Sequence, residues 1–167
     1  MPQDHTPEPT ETTSQFEKLL AKLARSGVDF AVVGGLAVVL NGYGRVTEDA
    51  DILVSDAPEN LQRLIDVLTQ WGEGAARELT LADFPAQEGS VRVTEDFPLD
   101  IFTRMRGKTF NDFRPRLRFF TSDDVRIAYL SPEDLIWLKQ QSWREQDQMD
   151  VVALKEILAK EKAREEH

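Results

Sequence analysis

The sequence predicts an α+β fold, and three observations predict it. An amphipathic helix leads into a short apolar strand, a second strand and helix follow at once, and a hairpin-rich middle gives way to two closing helices. In the first helix Phe16, Leu19, Leu20 and Leu23 recur at helical spacing, and the segment stops at Ser26-Gly27. The period then changes. Phe30, Ala31, Val32 and Val33 form a continuous apolar run that halts at Gly34-Gly35, as a buried strand does. Residues 36–40 read as a short helix closed by Asn41-Gly42.

Ile52, Leu53 and Val54 give a second buried strand. After Pro58, an amphipathic helix carries Leu61, Leu64, Ile65, Leu68 and Trp71. Val91 and Val93 alternate with polar residues, and Leu99 and Ile101 alternate with Asp100 and Phe102, which predicts two strands joined through residues 95–98. Residues 117–120 and 125–130 flank Thr121-Ser122-Asp123-Asp124 as a further hairpin. Ser131 then offers an N-cap hydroxyl and Pro132 a first helical position, introducing a helix with Leu135, Ile136, Leu138 and Trp143. A last helix carries Val151, Leu154, Ile157 and Leu158.

At 167 residues and 41% hydrophobic content the chain suits one domain with a real core. We place that domain at residues 13–163, after a Pro-, Thr- and acid-rich leader expected to be disordered (1–12) and before a frayed tail (164–167). The leader lacks the basic start and apolar stretch of an export signal, and the longest apolar run, 30–40, is broken by glycines and falls short of the roughly 18 residues of a membrane span. A cytoplasmic protein with no membrane contact is expected. There is no cysteine, so carboxylates are the expected metal ligands. His5 and His167 sit in the tails and carry no chemistry.

A formal charge of −10 argues against broad DNA binding. Arg104, Arg106, Lys108, Arg114, Arg116 and Arg118 form the one basic concentration, read mainly as a solvated surface.

Three features share a spacing that one reaction type needs. Gly34-Gly35 lies between a strand and a short helix, where backbone can approach a phosphate closely. Asp49 and Asp51 stand two residues apart at the mouth of an apolar strand, so both project to one side and can share a divalent cation. Asp100 sits within an otherwise apolar strand, where a lone carboxylate is costly unless a cation or several donors satisfy it. If its strand lies beside that of Asp51, three carboxylates converge, as two-metal nucleotidyl transfer requires.

These segments, residues 33–37, the run from Arg45 through Thr47 and Asp49 to Asp51, and Leu99-Asp100-Ile101, resemble the nucleotidyltransferase superfamily typified by DNA polymerase β. Within it, residues 34–47 look most like the small prokaryotic minimal nucleotidyltransferases that include AbiEii-type toxins. The resemblance implies a mixed sheet of about five strands packed by helices, with a C-terminal helical segment. It implies that the glycines meet a nucleoside triphosphate, that Asp49 and Asp51 hold Mg2+ or Mn2+, and that Asp100 completes the metal site and acts as base. Many members have serine where Gly35 stands, so a hydroxyl contact to phosphate is missing here.

Arg45 and Thr47, just upstream of the acids, are candidate phosphate contacts or anchors of the loop. Lys139, one turn from Leu135, is a candidate nucleotide contact or a snorkelling side chain. Asp147 and Asp150 share a helix face and are candidates to orient Lys139 or Arg144, or else solvated acids. The expected function is nucleotidyl transfer to an RNA end, a protein hydroxyl or a small molecule, with a toxin of a toxin-antitoxin pair as one context. The alternatives are a non-catalytic nucleotide- or partner-binding module paired with an antitoxin, and a scaffold in which Asp100 is paired with an arginine.

Overall fold

A computed structural model describes residues 11–166, with side chains from residue 15 onward. The expected leader lies outside the described residues through position 10, as do His5 and His167. The chain runs α1 (Glu11–Arg25), β1 (Phe30–Val33), α2 (Gly34–Leu40), β2 (Ala50–Val54), α3 (Pro58–Leu68), β3 (Ser90–Thr94), β4 (Pro98–Phe102), α4 (Phe110–Phe113), β5 (Arg118–Ser122), β6 (Val125–Tyr129), α5 (Pro132–Lys139) and α6 (Glu145–Glu165). Six strands form one mixed sheet in the order β3-β4-β2-β1-β6-β5. That is one strand more than the resemblance implies, because both arms of the 118–129 hairpin join the sheet.

The two central pairings position everything that follows. β1 runs antiparallel to β2, whereas β2 and β4 run parallel with Asp51 opposite Asp100. These strands are apolar almost throughout since both faces are covered. Phe16, Leu19, Leu20 and Leu23 of α1 are buried, and α1 contacts α3 and β6. α2 contacts α5, which packs along α6. Asp123 and Asp124 take φ values of 52° and 63°, so the β5–β6 hairpin closes through a two-residue turn with both central residues left-handed, which matches strand twist.

Two sequence expectations are corrected. Trp71 lies past the end of α3 at Leu68, in the following turn, with its ring 5.2 Å from that of Phe97. Trp143 does not continue the apolar face of α5: that helix ends at Lys139, and Trp143 lies in the following loop with 95% of its surface exposed. Among the described residues no helix is long and apolar enough to cross a membrane.

Asn60 on α3 ties two strand ends together. Its Oδ1 accepts from the Asp29 backbone N–H at 2.7 Å, and its Nδ2 donates to the carbonyls of Asp29 (3.0 Å) and Ser55 (2.9 Å). Asn60 is buried, so truncation strands the Asp29 N–H and the Ser55 carbonyl, while the Asp29 carbonyl keeps the Ser55 N–H at 3.0 Å. Asn60→Ala should cost about 2–3 kcal/mol, two unsatisfied groups at about 1–1.5 kcal/mol each. Chemical denaturation measures it, and a cost within error of zero would show that water replaces the side chain.

Candidate functional site

Strand register assembles the site. Arg92 on β3 pairs with Asp100 on β4, Asp100 with Asp51 on β2, and Asp51 with Val33 on β1, so four residues form one row across the sheet. Alternation puts their side chains on a common face. Asp49 stands immediately before β2 and reaches the same group from its open end.

Gly34 closes the row. Its φ is +63°, and a Cβ there would lie 2.1 Å from Asp51 Oδ2, so both backbone conformation and space require glycine. Gly35 answers to a different neighbour: a Cβ would come within 2.6 Å of Arg45 Nη2 and 3.1 Å of Thr47 Oγ1. A side chain at position 35 would meet the arginine and threonine packed into that space.

The acids carry more negative charge than the row compensates. Burial pushes the Asp51 carboxyl up to about 7, and the charge of Asp100, a hydrogen bond shared with it, and the charge of Asp49 add to the rise; Lys139 opposes it. Asp100, 12% exposed, accepts two hydrogen bonds from Arg92, Nε to Oδ1 at 2.9 Å and Nη2 to Oδ2 at 2.8 Å. The same Nη2 reaches Asp49 Oδ2 at 3.2 Å. Hydrogen bonding to Asp100, and then its charge, hold the Arg92 guanidinium above its usual value.

Arg92 is the participant that reading the sequence missed. The signal lay in the hairpin: pairing β3 and β4 across residues 95–97 sets position 92 opposite position 100. Its guanidinium joins Asp49 to Asp100, and among the described residues no group of three or more His, Cys, Asp or Glu side chains is arranged to hold a metal ion. The donor chemistry still suits one. Asp49, Asp51 and Asp100 present hard carboxylate oxygens, and the charges of Asp100 and Asp49 add to burial in raising Asp51.

The other predicted residues meet in a second, buried ion cluster. Asp150 on α6 is fully buried and accepts from Arg45 Nε and Nη2, both at 2.9 Å. Lys139 Nζ lies 2.7 Å from Asp147 and 3.1 Å from Asp150. Burial raises the Asp147 carboxyl, but hydrogen bonds from Lys139 and Ser142 and the Lys139 charge outweigh it and hold the group below its usual value. Lys139 is therefore pinned by acids and not snorkelling. Thr47 Oγ1 donates to the Asp49 carbonyl at 3.2 Å and so anchors the loop that presents the first acid. The basic stretch is largely ion-paired: Arg114 with Asp29, Arg116 with Asp134 and Arg118 with Glu161, while Arg106 and Lys108 lie over Trp137.

The raised Asp51 sets the sign of a pH dependence. Between its unfolded value of 3.8 and its folded value of about 7, the folded chain keeps a proton that the unfolded chain has lost. The unfolded state binds fewer protons there, so stability falls as pH rises through this window and levels off above it. The melting temperature of the metal-free protein should drop between about pH 4 and pH 7, and Asp51→Asn should flatten that drop. An equally steep drop in the mutant would assign the effect to other groups. Gly34→Ala should lower the melting temperature at every pH, since it brings both the 2.1 Å clash and a positive φ.

Comparison with known proteins follows the same lines. A family model described as "Nucleotidyltransferase of unknown function (DUF6036)" matches residues 11–161. No curated protein matches the sequence. Among solved structures, the chain is similar to the lincosamide antibiotic adenylyltransferase LnuA in its lincomycin-bound form, at 20% identity and a TM-score of 0.59 over 90% of this chain and 99% of that one. It is similar to TM1012 of Thermotoga maritima, assigned as a nucleotidyltransferase, at 16% identity and 0.55 over 98% of each chain. It also resembles an antigenic nucleotidyltransferase-like protein from Paracoccidioides brasiliensis, at 16% identity and 0.54 over 86% of this chain and 75% of that one. At such identities these likenesses show the shared fold.

Proposed function

Because the chain belongs to this family of nucleotidyltransferases of unknown function, we propose that it is a metal-dependent enzyme moving a nucleotidyl group from a nucleoside triphosphate to a hydroxyl acceptor. One observation carries the reading: parallel pairing of β2 and β4 sets Asp51 and Asp100 side by side on the face that Gly34 leaves open, with Asp49 at the rim.

Asp49, Asp51 and Asp100 would hold Mg2+ or Mn2+, which when bound neutralises triphosphate charge and favours in-line displacement. The acceptor hydroxyl oxygen forms a bond to the α-phosphorus, the bond to the bridging oxygen breaks, and pyrophosphate leaves. Asp100 takes the hydroxyl proton on a carboxylate oxygen. Gly34 and Gly35 let the backbone approach the triphosphate. Lys139 and Arg45 supply positive charge beside it, and Thr47 holds the Asp49 loop in place. The acceptor is an RNA end, a protein hydroxyl or a small molecule. LnuA, whose structure contains lincomycin, makes small molecules the first class to screen. The setting we propose is cytoplasmic.

A second reading draws on the Arg92 bridge. An arginine already satisfying Asp100 suits a non-catalytic nucleotide- or partner-binding module, as in a toxin-antitoxin pair. Asp100→Asn separates the two. Arg92 is 53% exposed, so losing one partner costs only about 0–1 kcal/mol, the scale of a solvated pair, and not the about 3–5 kcal/mol of a broken buried one. The mutant should fold. With labelled triphosphates, Mg2+ and a panel of small molecules, cell RNA and protein, transfer should fall at least roughly 10²-fold while triphosphate affinity changes little. A wild-type protein that binds triphosphate yet labels nothing would support the binding module, and a fully active Asp100→Asn would remove the catalytic assignment.

A further inference from the structure

We infer that Arg92 is a displaceable counter-cation that competes with the divalent metal for Asp49 and Asp100 and thereby sets the metal affinity of the site. The inference rests on the metal reading above and extends it to a residue outside the acidic set.

Geometry comes first. The guanidinium spends Nε and Nη2 on both oxygens of Asp100 and shares Nη2 with Asp49, so one planar cation spans two of the three carboxylates. A metal drawing on those oxygens needs the electron pairs that these hydrogen bonds occupy. Both cannot hold them together.

Release is inexpensive. Arg92 sits on β3, an edge strand of the sheet, and its side chain is half exposed, so the freed guanidinium turns into water without leaving an unpaired charge in the interior. The other two cations near the acids differ in this respect. Arg45 and Lys139 are 17% and 12% exposed and are held by fully buried Asp150. Of the cations around the carboxylates described here, Arg92 is the one with both a grip on the acids and a route away from them.

The bridge also explains why Asp51 stands apart. Arg92 hydrogen-bonds Asp49 and Asp100, whereas Asp51 meets the bridge only through the hydrogen bond it shares with Asp100 and faces the glycine loop with Oδ2. An incoming cation meets Asp51 first and then exchanges with Arg92 at the remaining two.

The test uses Mn2+ without nucleotide, titrated by calorimetry into full-length wild type, Arg92→Gln and Arg92→Lys. Arg92→Gln should bind Mn2+ roughly three- to tenfold more tightly, the affinity equivalent of removing one or two solvated ion pairs. It should also melt lower than wild type without metal and show a larger Mn2+-induced rise. Arg92→Lys separates displacement from simple charge: it keeps the charge but loses the fork that bridges two carboxylates. Competition predicts tightening in this variant too, whereas a wild-type affinity would reduce the effect to net charge and overturn the inference. A third readout is the Arg92 Nε–H resonance, which should lose its protection from solvent exchange when Mg2+ is added. If wild type binds Mn2+ and both variants match it, the inference fails and the metal reading stands. If neither wild type nor Arg92→Gln binds Mn2+, both fall.

Discussion

The parallel pairing of β2 with β4 forces two carboxylates together at the centre of an apolar sheet, and the rest of the structure accommodates that repulsion. Asp51 and Asp100 are register partners on adjacent strands whose other residues are almost all buried and apolar. A like-charge pair in such surroundings favours the neutral acid, and Asp51 shows the strain in its raised carboxyl. The neighbours fall into place around this constraint. Gly34 lacks the Cβ that would strike Asp51, Arg92 crosses from β3 to satisfy Asp100, and Lys139 approaches from α5 to oppose the excess charge.

The C-terminal helix joins the site through one side chain. Asp150 is the single fully buried charge named among the described polar residues, and it collects Arg45 from the loop after α2 and Lys139 from the end of α5. A loop 105 positions away in sequence and the end of the preceding helix therefore meet at one carboxylate. Arg45 in turn occupies the space beside Gly35, so the glycine after Gly34 and the buried acid on α6 are two ends of one arrangement. A side chain at position 35 would press on Arg45, and Arg45 could yield only by loosening its hold on Asp150.

Much of this was legible in the residues because local rules governed it. Alternation alone put Asp49 and Asp51 on one side of their strand, and an acid amid Leu99, Ile101 and Phe102 marked Asp100 as needing a partner. The helix beginning at Pro132 was written in Ser131, whose hydroxyl accepts from Asp134 N–H. What was hidden depended on pairing between distant segments. Whether β4 lay beside β2, and in which register, is a tertiary fact, and from it follow both the Asp51–Asp100 contact and the arrival of Arg92. Trp143 misled for the opposite reason: its spacing continued the apolar pattern of α5, but the helix stopped at Lys139, where Asp147 and Asp150 engage the ammonium.

The two sets of cations around the acids differ in how firmly they are held, and burial decides it. Taking Arg45 or Lys139 from Asp150 would leave a fully buried carboxylate with reduced compensation, a loss on the order of 3–5 kcal/mol for a broken buried pair. Taking Arg92 from Asp100 returns a half-exposed guanidinium to water, where such pairs are worth about 0–1 kcal/mol. The Asp150 cluster, two cations against the carboxylates of Asp147 and Asp150, is consequently a fixed, charge-balanced wall, present whatever binds. The β3 side is soft, able to exchange its cation for another without disturbing the core. A site that must accept a strongly charged ligand and release an equally charged product gains from that asymmetry: the fixed wall preserves alignment, and the exchangeable side absorbs the change in charge.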